Sequence, residues 1–196
     1  FHETKPNSLA INFKEHKSNI FIKNLEIASH IANDIFNDSN FPDLNGDLLI
    51  NCLESFKMPP GRGEIFSLNK FKIIDDSYNA NPESVKAALD HLSGFKECRK
   101  FFVFGDMKEL GDNEEIFHKK IGQYAVEKAD ILFTVGKLAK NAQSNSNNFA
   151  LSLHFNDNFS LLEKLNELLT DGDIVLIKGS RSMQLDQLIN ELKNVK

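Results

Sequence analysis

From residue 64 to the end, the chain repeats one arrangement: a short apolar run, a polar turn, then apolar residues at helical spacing. EIFSL (64–68) and KFKIID (70–75) read as strands joined by a tight turn at Asn69. A helix over Pro82–Phe95, strand KFFVFG (100–105) and a helix over Asn113–Lys128 come next. Strand ILFTVG (131–136), a helix over Lys137–Gln143, strand FALSLHF (149–155) and a helix over Asn158–Leu169 follow. Strand DIVLIKG (173–179) and a helix over Met183–Lys193 close the pattern. Short apolar strands alternating with amphipathic helices make βαβ units. The predicted fold class is therefore α/β: a Rossmann-like, mostly parallel sheet, with right-handed crossovers putting helices on both faces.

The start of the chain reads differently. Leu25, Ile27, Ala28, Ile31, Ala32 and Ile35 recur at helical spacing across Asn24–Phe36. FNDSNFPDLNGD is a loop, and LLINCLESF (48–56) is a second short helix. Pro59 and Pro60 stiffen the backbone while Gly61 and Gly63 loosen it, which marks a boundary. The division is 1–58 and 59–196. Two short helices and an irregular arm are a weak basis for a core, so the first part is expected to pack on something, including sequence absent from this chain. The lack of an initiator Met fits a fragment.

Composition removes several function classes. The 196 residues are 41% hydrophobic and 26% charged, ordinary for a globular protein. No window approaches the roughly 20 apolar residues of a membrane span, and the polar N-terminus has no signal-peptide core. A net charge of −5 without a Lys/Arg run argues against nucleic acid. Cys52 and Cys98 lie in apolar contexts without CxxC spacing, as buried reduced thiols of a cytoplasmic protein. His91 and His118 fall in helices as surface or packing residues, and most of the 17 Phe sit in strands or at helix contacts, as core rather than a stacking platform.

In an open α/β sheet, ligands sit at the carboxyl ends of the strands. Three strand ends carry chemistry. At IIDDSYNANP, Asn81 is a good helix cap, Pro82 suits the first helical position, and Glu83 suits the positive helix end. Capping leaves Asp75, Asp76, Ser77, Tyr78 and Asn79 unexplained. A carboxylate there can accept from ribose hydroxyls, and a Tyr and an amide can meet a base, sugar or phosphate; a well-capped loop is the bland alternative. At FGDMKELGDNEE, Asp112–Glu115 resembles a capping box with Asp as the cap, and Asp106 can orient a neighbouring cation. At IVLIKGSRSMQLD, Lys178, Gly179, Ser180, Arg181 and Ser182 suit a carboxylate or a phosphate, or form a solvated turn. There is no G-x-x-x-x-G-K-[ST] loop, no G-x-G-x-x-G turn and no convincing metal-ligand spacing.

Pro60-Gly61-Arg62, DDSYNANP, GDMKELG, TVG (134–136) and KGSRS, in that order and spacing, resemble the Mur ligase family. Within it they are most similar to the members that join D-alanyl-D-alanine to UDP-N-acetylmuramoyl-tripeptide for peptidoglycan. The resemblance covers Leu48–Lys196 well and the first 47 residues poorly. It implies that 59–196 is the C-terminal domain that closes over ATP, and that 1–58 is the end of the central ATPase domain. The implied reaction is ATP-dependent amide formation through an acyl phosphate, with Mg²⁺ offsetting phosphate charge. The phosphate loop and Mg²⁺ ligands are expected outside this chain, which alone should be inactive, and the enzyme should be a monomer.

Carried over residue by residue, Arg62 would reach the ATP phosphates on closure and Asp76 would hold the ribose, with Tyr78 and Asn79 beside the nucleotide. Asn24 matches an asparagine near the adenine, although Ile20 and Phe21 stand where a His-Asn pair is usual. Lys178, Ser180 and Arg181 would face the dipeptide, with Asn81 and Asp106 also on the substrate side and Arg62 and Lys178 as catalytic cations. Two alternatives stay open: a sister amide ligase of the Mur or folylpolyglutamate type, and a non-catalytic nucleotide-binding module. Sisters carry a His in the Asn-Pro turn, which Tyr78-Asn79-Ala80-Asn81 lacks.

Overall fold

The computed structural model describes residues 19–36, 51, 55, 59–68 and 71–194. The chain divides into two compact units, Phe1–Lys57 and Met58–Lys196. In the first, helix α1 runs over Asn19–Phe36, five residues before the start the periodicity suggests. Of the expected helix over 48–56 only Asn51 and Ser55 are described, both helical; the Asn69 turn and Cys52 lie outside the described residues. No described helix is long and apolar enough to cross a membrane.

The second unit is built on a six-stranded sheet: β1 (Glu64–Leu68), β2 (Phe71–Asp76), β3 (Lys100–Gly105), β4 (Ile131–Val135), β5 (Leu151–Phe155) and β6 (Ile174–Lys178). Their spatial order is β1-β2-β6-β3-β4-β5. β1 pairs antiparallel with β2 at one edge; the other pairings are parallel. Helices α2 (Pro82–Ser93), α3 (Glu114–Ala125), α4 (Asn158–Leu168) and α5 (Leu185–Asn194) connect or follow the strands. The mostly parallel α/β sheet that the sequence predicts is the one observed.

Strand period two divides the core. Ile74, Phe102, Phe104, Ile174 and Leu176 face α2 and α3, meeting Val85, Leu89, Leu92, Ile121 and Ala125. Ile73, Phe101, Val103, Val175 and Ile177 face the opposite side, meeting Leu161 and Leu165 of α4 and Leu185, Leu188 and Ile189 of α5. β3, β4 and β6 are apolar nearly throughout because both faces are covered.

Some boundaries differ from expectation. The predicted helix at Lys137–Gln143 is a 3₁₀ segment over Ala139–Asn148, kinked at Asn145. Its Asn- and Ser-rich composition favours local side-chain bonding over a regular helix. The chain also winds as 3₁₀ through Gly111–Asn113, so α3 begins at Glu114 and Asp112 is not its cap. Asn113 takes that position with φ −99° and ψ 13° and makes no side-chain cap bond, because capping needs an extended backbone there. Gln184, left-handed at φ 52°, separates the turn Arg181–Met183 from α5, so that helix starts at Leu185 rather than Met183. Cys98 is a free thiol and only half-buried. By contrast α2 begins as expected: Asn81 caps it, Pro82 opens it, and Ser84 completes a reciprocal capping box.

The amino end of β6 is pinned from outside the sheet. Arg99 donates from Nε to Asp173 Oδ1 at 2.9 Å and from Nη2 to Oδ2 at 2.7 Å. Thr170 N–H also donates to Oδ2 at 2.7 Å. Burial works against the Asp173 carboxylate, but these donors win and hold its pKa below the ordinary value. Asp173→Ala should cost about 2–3 kcal/mol, the scale of bonds to a charged group. Urea unfolding at neutral pH checks this; a loss under about 0.5 kcal/mol would mark the pair as surface decoration.

Candidate functional site

α2 and α3 leave their strands toward one face of the sheet, and α5 leaves β6 toward the other. β6 lies between β2 and β3, so the chain diverges on both sides of its carboxyl end. Such divergence opens a crevice at the strand tips, where α/β sheets bind ligands.

The register places Asp76 of β2 directly beside Lys178 of β6, with Phe104 of β3 on the other side. Lys178 is 1% exposed, yet ends in a charge. Its Nζ meets Asp76 Oδ2 at 2.7 Å and donates to the Asn79 carbonyl at 2.8 Å. Burial pushes the Lys178 pKa down, and the Asp76 charge counters part of that. Burial likewise pushes the Asp76 pKa up against the pull of Lys178. Each ion therefore depends on the other. The Asp76 side chain keeps 21% exposure at the rim of the crevice, where its carboxylate can accept from a ligand hydroxyl.

Asp75, on the opposite face, is occupied internally. Its Oδ1 accepts from Ser77 Oγ at 2.6 Å and Ser77 N–H at 3.1 Å, which folds the loop back over the strand tip. Tyr78 N–H donates to the Gly61 carbonyl at 3.0 Å, and Gly63 N–H to the Asp75 carbonyl at 2.7 Å. Gly61 has φ +75°, and a Cβ there would lie 3.1 Å from Tyr78 Cβ, so glycine permits this approach. The result brings Arg62 over the Tyr78 ring, 4.2 Å from its centroid. Both side chains are exposed. A guanidinium stacked on an aromatic beside a carboxylate can meet the phosphate, sugar and base of a nucleotide.

The β6 loop is knotted to its neighbours. Ser180 N–H donates to the Asp106 carbonyl at 2.9 Å, and Ser180 Oγ accepts from Lys108 N–H at 2.9 Å. Asp106 Oδ1 accepts from Leu138 and Ala139 N–H at 2.9 and 2.8 Å, and Oδ2 pairs with Lys108 Nζ at 3.1 Å. Asp106 thus orients a cation, as expected, but its other oxygen caps the turn after β4. Gly179 serves packing rather than a ligand: a Cβ there would lie 2.8 Å from Leu185 Cδ1 and 3.1 Å from Gly105 Cα. Arg181 is the exposed cation of this loop, paired with Asp186 at 2.8 Å.

The structure therefore gathers Arg62, Asp76, Tyr78, Asn79, Lys178, Ser180 and Arg181 at neighbouring strand ends of the second unit. Among them Lys178 is buried against Asp76 rather than exposed on its loop. Asn81 spends its side-chain oxygen on Ser84 N–H at 2.9 Å. Asn79 Oδ1 accepts from Ala80 N–H at 2.8 Å. Asn24 is exposed on α1 in the first unit. His118, read from sequence as surface or packing, is fully buried and hydrogen-bonded beneath the β3 loop. The ring contact with Phe104 that accompanies this burial is a tertiary feature. Among the described residues no group of three or more His, Cys, Asp or Glu could hold a metal ion.

Residues 61–181 match the family model described as Mur ligase, glutamate ligase domain. The chain is 40% identical over 128 residues to the UDP-N-acetylmuramoyl-tripeptide–D-alanyl-D-alanine ligase of Bacillus subtilis, covering 61% of this chain and 27% of that protein. The ligase of the same name from Escherichia coli is 33% identical over 144 residues, covering 72% and 31%. Among solved structures, MurF ligase from Thermotoga maritima in complex with ADP matches at TM-score 0.65 and 28% identity, covering 74% of this chain and 33% of that one. MurF from Acinetobacter baumannii matches at TM-score 0.70 and 26% identity, covering 78% and 34%. The chain thus spans about a third of the length of these proteins.

Removing the ammonium tests the mutual dependence of Asp76 and Lys178. Lys178→Met leaves a buried carboxylate unpaired and should destabilise the chain by about 3–5 kcal/mol at neutral pH. Without its partner, Asp76 has a folded-state pKa still further above its unfolded value. The penalty is then full above the folded pKa and shrinks as pH falls through it. Urea unfolding from pH 8 to pH 4 should show the gap to the parent closing; a gap independent of pH would mean the lysine matters only as packing.

Proposed function

Because this chain belongs to the Mur ligase family, we propose that its Met58–Lys196 unit is the C-terminal domain of the ATP-dependent ligase that joins D-alanyl-D-alanine to UDP-N-acetylmuramoyl-tripeptide. The observation that carries this reading is the Asp76–Lys178 contact, with Arg62 and Tyr78 on the same β2 side and Arg181 on the β6 loop. One crevice then offers an acceptor for hydroxyls, a stacked guanidinium for phosphates, and an exposed guanidinium for a carboxylate.

ATP supplies the phosphoryl group that makes the tripeptide carboxylate open to attack by an amine. Asp76 accepts from the ribose hydroxyls, Lys178 keeps Asp76 ionised and in place, and Arg62 swings from Tyr78 to the phosphates. Asn79, whose carbonyl already holds Lys178, lines the nucleotide side. Arg181 exchanges Asp186 for the dipeptide carboxylate and holds it while the dipeptide amine attacks; Ser180 keeps a hydroxyl proton to donate beside it. We assign the phosphate loop and the Mg²⁺ ligands to sequence outside this chain, and the activity to a cytoplasmic monomer.

Two substitutions in the ligase carrying this unit separate the roles. Asp76→Asn should raise the ATP Michaelis constant roughly tenfold to a hundredfold, since a charge-assisted hydrogen bond contributes about 1.5–3 kcal/mol. The dipeptide constant should stay within about twofold. Arg181→Lys should do the reverse, because an ammonium cannot reproduce the paired bonds of a guanidinium to a carboxylate. Steady-state kinetics with each substrate varied in turn reads both. If Arg181→Lys moved the ATP constant instead, the β6 loop would be a phosphate site.

A further inference from the structure

His118 is buried at 0% exposure where α3 passes under the β3 loop. Its Nδ1 lies 2.6 Å from the Glu114 carbonyl, and its Nε2 lies 2.8 Å from the Met107 amide nitrogen. A carbonyl only accepts and an amide N–H only donates, so the proton sits on Nδ1 and the Nε2 lone pair receives Met107. The ring packs on Phe104 with centroids 5.4 Å apart. Met107 is itself fully buried, so its N–H has no water to turn to if the imidazole is lost.

The stretch this bond fixes is the centre of the knot. Asp106 on one side of Met107 receives Leu138, Ala139 and Ser180 N–H, and Lys108 on the other donates to Ser180 Oγ. Three strand-end loops, those after β3, β4 and β6, therefore share one short segment. We propose that neutral His118 is a positioning residue, whose acceptance of the Met107 N–H sets the place of the β3 loop and, through it, of Ser180 and Arg181. Its consequence for the dipeptide rests on the reading of the β6 loop given above.

Protonation would put a second N–H against that of Met107 and release the latch. The charged groups facing the ring are Asp106 and Lys108 of the loop and Glu114 of α3. Burial, the largest influence, holds the His118 pKa below its ordinary value; the Glu114 carbonyl and the two carboxylates oppose it only in part, and Lys108 adds to it. A histidine whose folded pKa is depressed contributes stability that is full above its unfolded value, near 6.5, and is lost as pH falls toward the folded one.

The test compares this chain with His118→Phe, which keeps a stacked ring but no acceptor, and His118→Gln, whose amide oxygen can receive the Met107 N–H. Amide hydrogen exchange should quicken roughly tenfold or more at Met107, Lys108 and Ser180 in His118→Phe and stay near the parent in His118→Gln. Interior amides of β2 and β6 report on global folding. Unchanged exchange at Ser180 in His118→Phe, or equal loss in both variants, overturns the proposal. Should His118→Phe fail to fold, long-range proton–nitrogen spectra of the parent imidazole decide: a proton on Nδ1, and Ser180 protection lost on the same titration as the ring, is expected. A proton on Nε2, or Ser180 protection indifferent to that titration, overturns it. In the ligase, a dipeptide constant unmoved by His118→Phe while the amides respond would leave the latch standing and remove the β6 loop from the acceptor site.

Discussion

A lysine ammonium buried between two strand ends is the constraint on which the site depends. Removing an ion from water costs several kcal/mol, and one ion pair seldom recovers all of it. Lys178 has a carboxylate at 2.7 Å, from the end of β2, and a carbonyl at 2.8 Å, from the loop that follows it. An apolar residue could fill the space more simply. What it could not do is keep Asp76 charged at a half-buried rim. The pair therefore presents an acceptor to the crevice while the rest of the β2–β6 contact remains core.

A second constraint is the sharing of hydrogen-bond partners among loops. Backbone N–H groups at strand tips must be satisfied once the crevice excludes water. Asp106 satisfies two of them with one oxygen and a third with its carbonyl. Loops that share a residue cannot move one at a time, so the β3, β4 and β6 ends act as one piece. The outward-facing groups, Arg62, Tyr78 and Arg181, are exposed and loosely paired. A fixed floor with adjustable cations suits a site that meets a ligand arriving from elsewhere.

The sheet was legible because period and burial agree: β2, β3, β4 and β6 are short and apolar, and β2, β3 and β6 lead into amphipathic helices. The cap at Asn81-Pro82 was legible because local chemistry alone decides it. Asp112 misled for the opposite reason. Its spacing fits a cap, but the backbone of Gly111–Asn113 is already wound, and conformation rather than residue type determines whether an oxygen can reach the helix N–H groups. The 3₁₀ segment at Ala139–Asn148 was likewise hidden, since its start is set by Asp106, some thirty residues away in sequence.

By itself the sequence determined the alternation of strands and helices and the three strand ends that carry polar chemistry. These follow from periodicity and from residue types at a turn, which are local properties. Only the tertiary structure decided which charges meet. Asp76 and Lys178 are about a hundred residues apart, and β6 becomes the neighbour of β2 because the chain crosses back over two strands, β4 and β3. That crossing buries the lysine and leaves Arg181 as the exposed cation, while the packing of α3 against β3 makes His118 a buried packing residue beneath a loop. Pairing and burial are long-range quantities, set by topology and register, and no local pattern contains them.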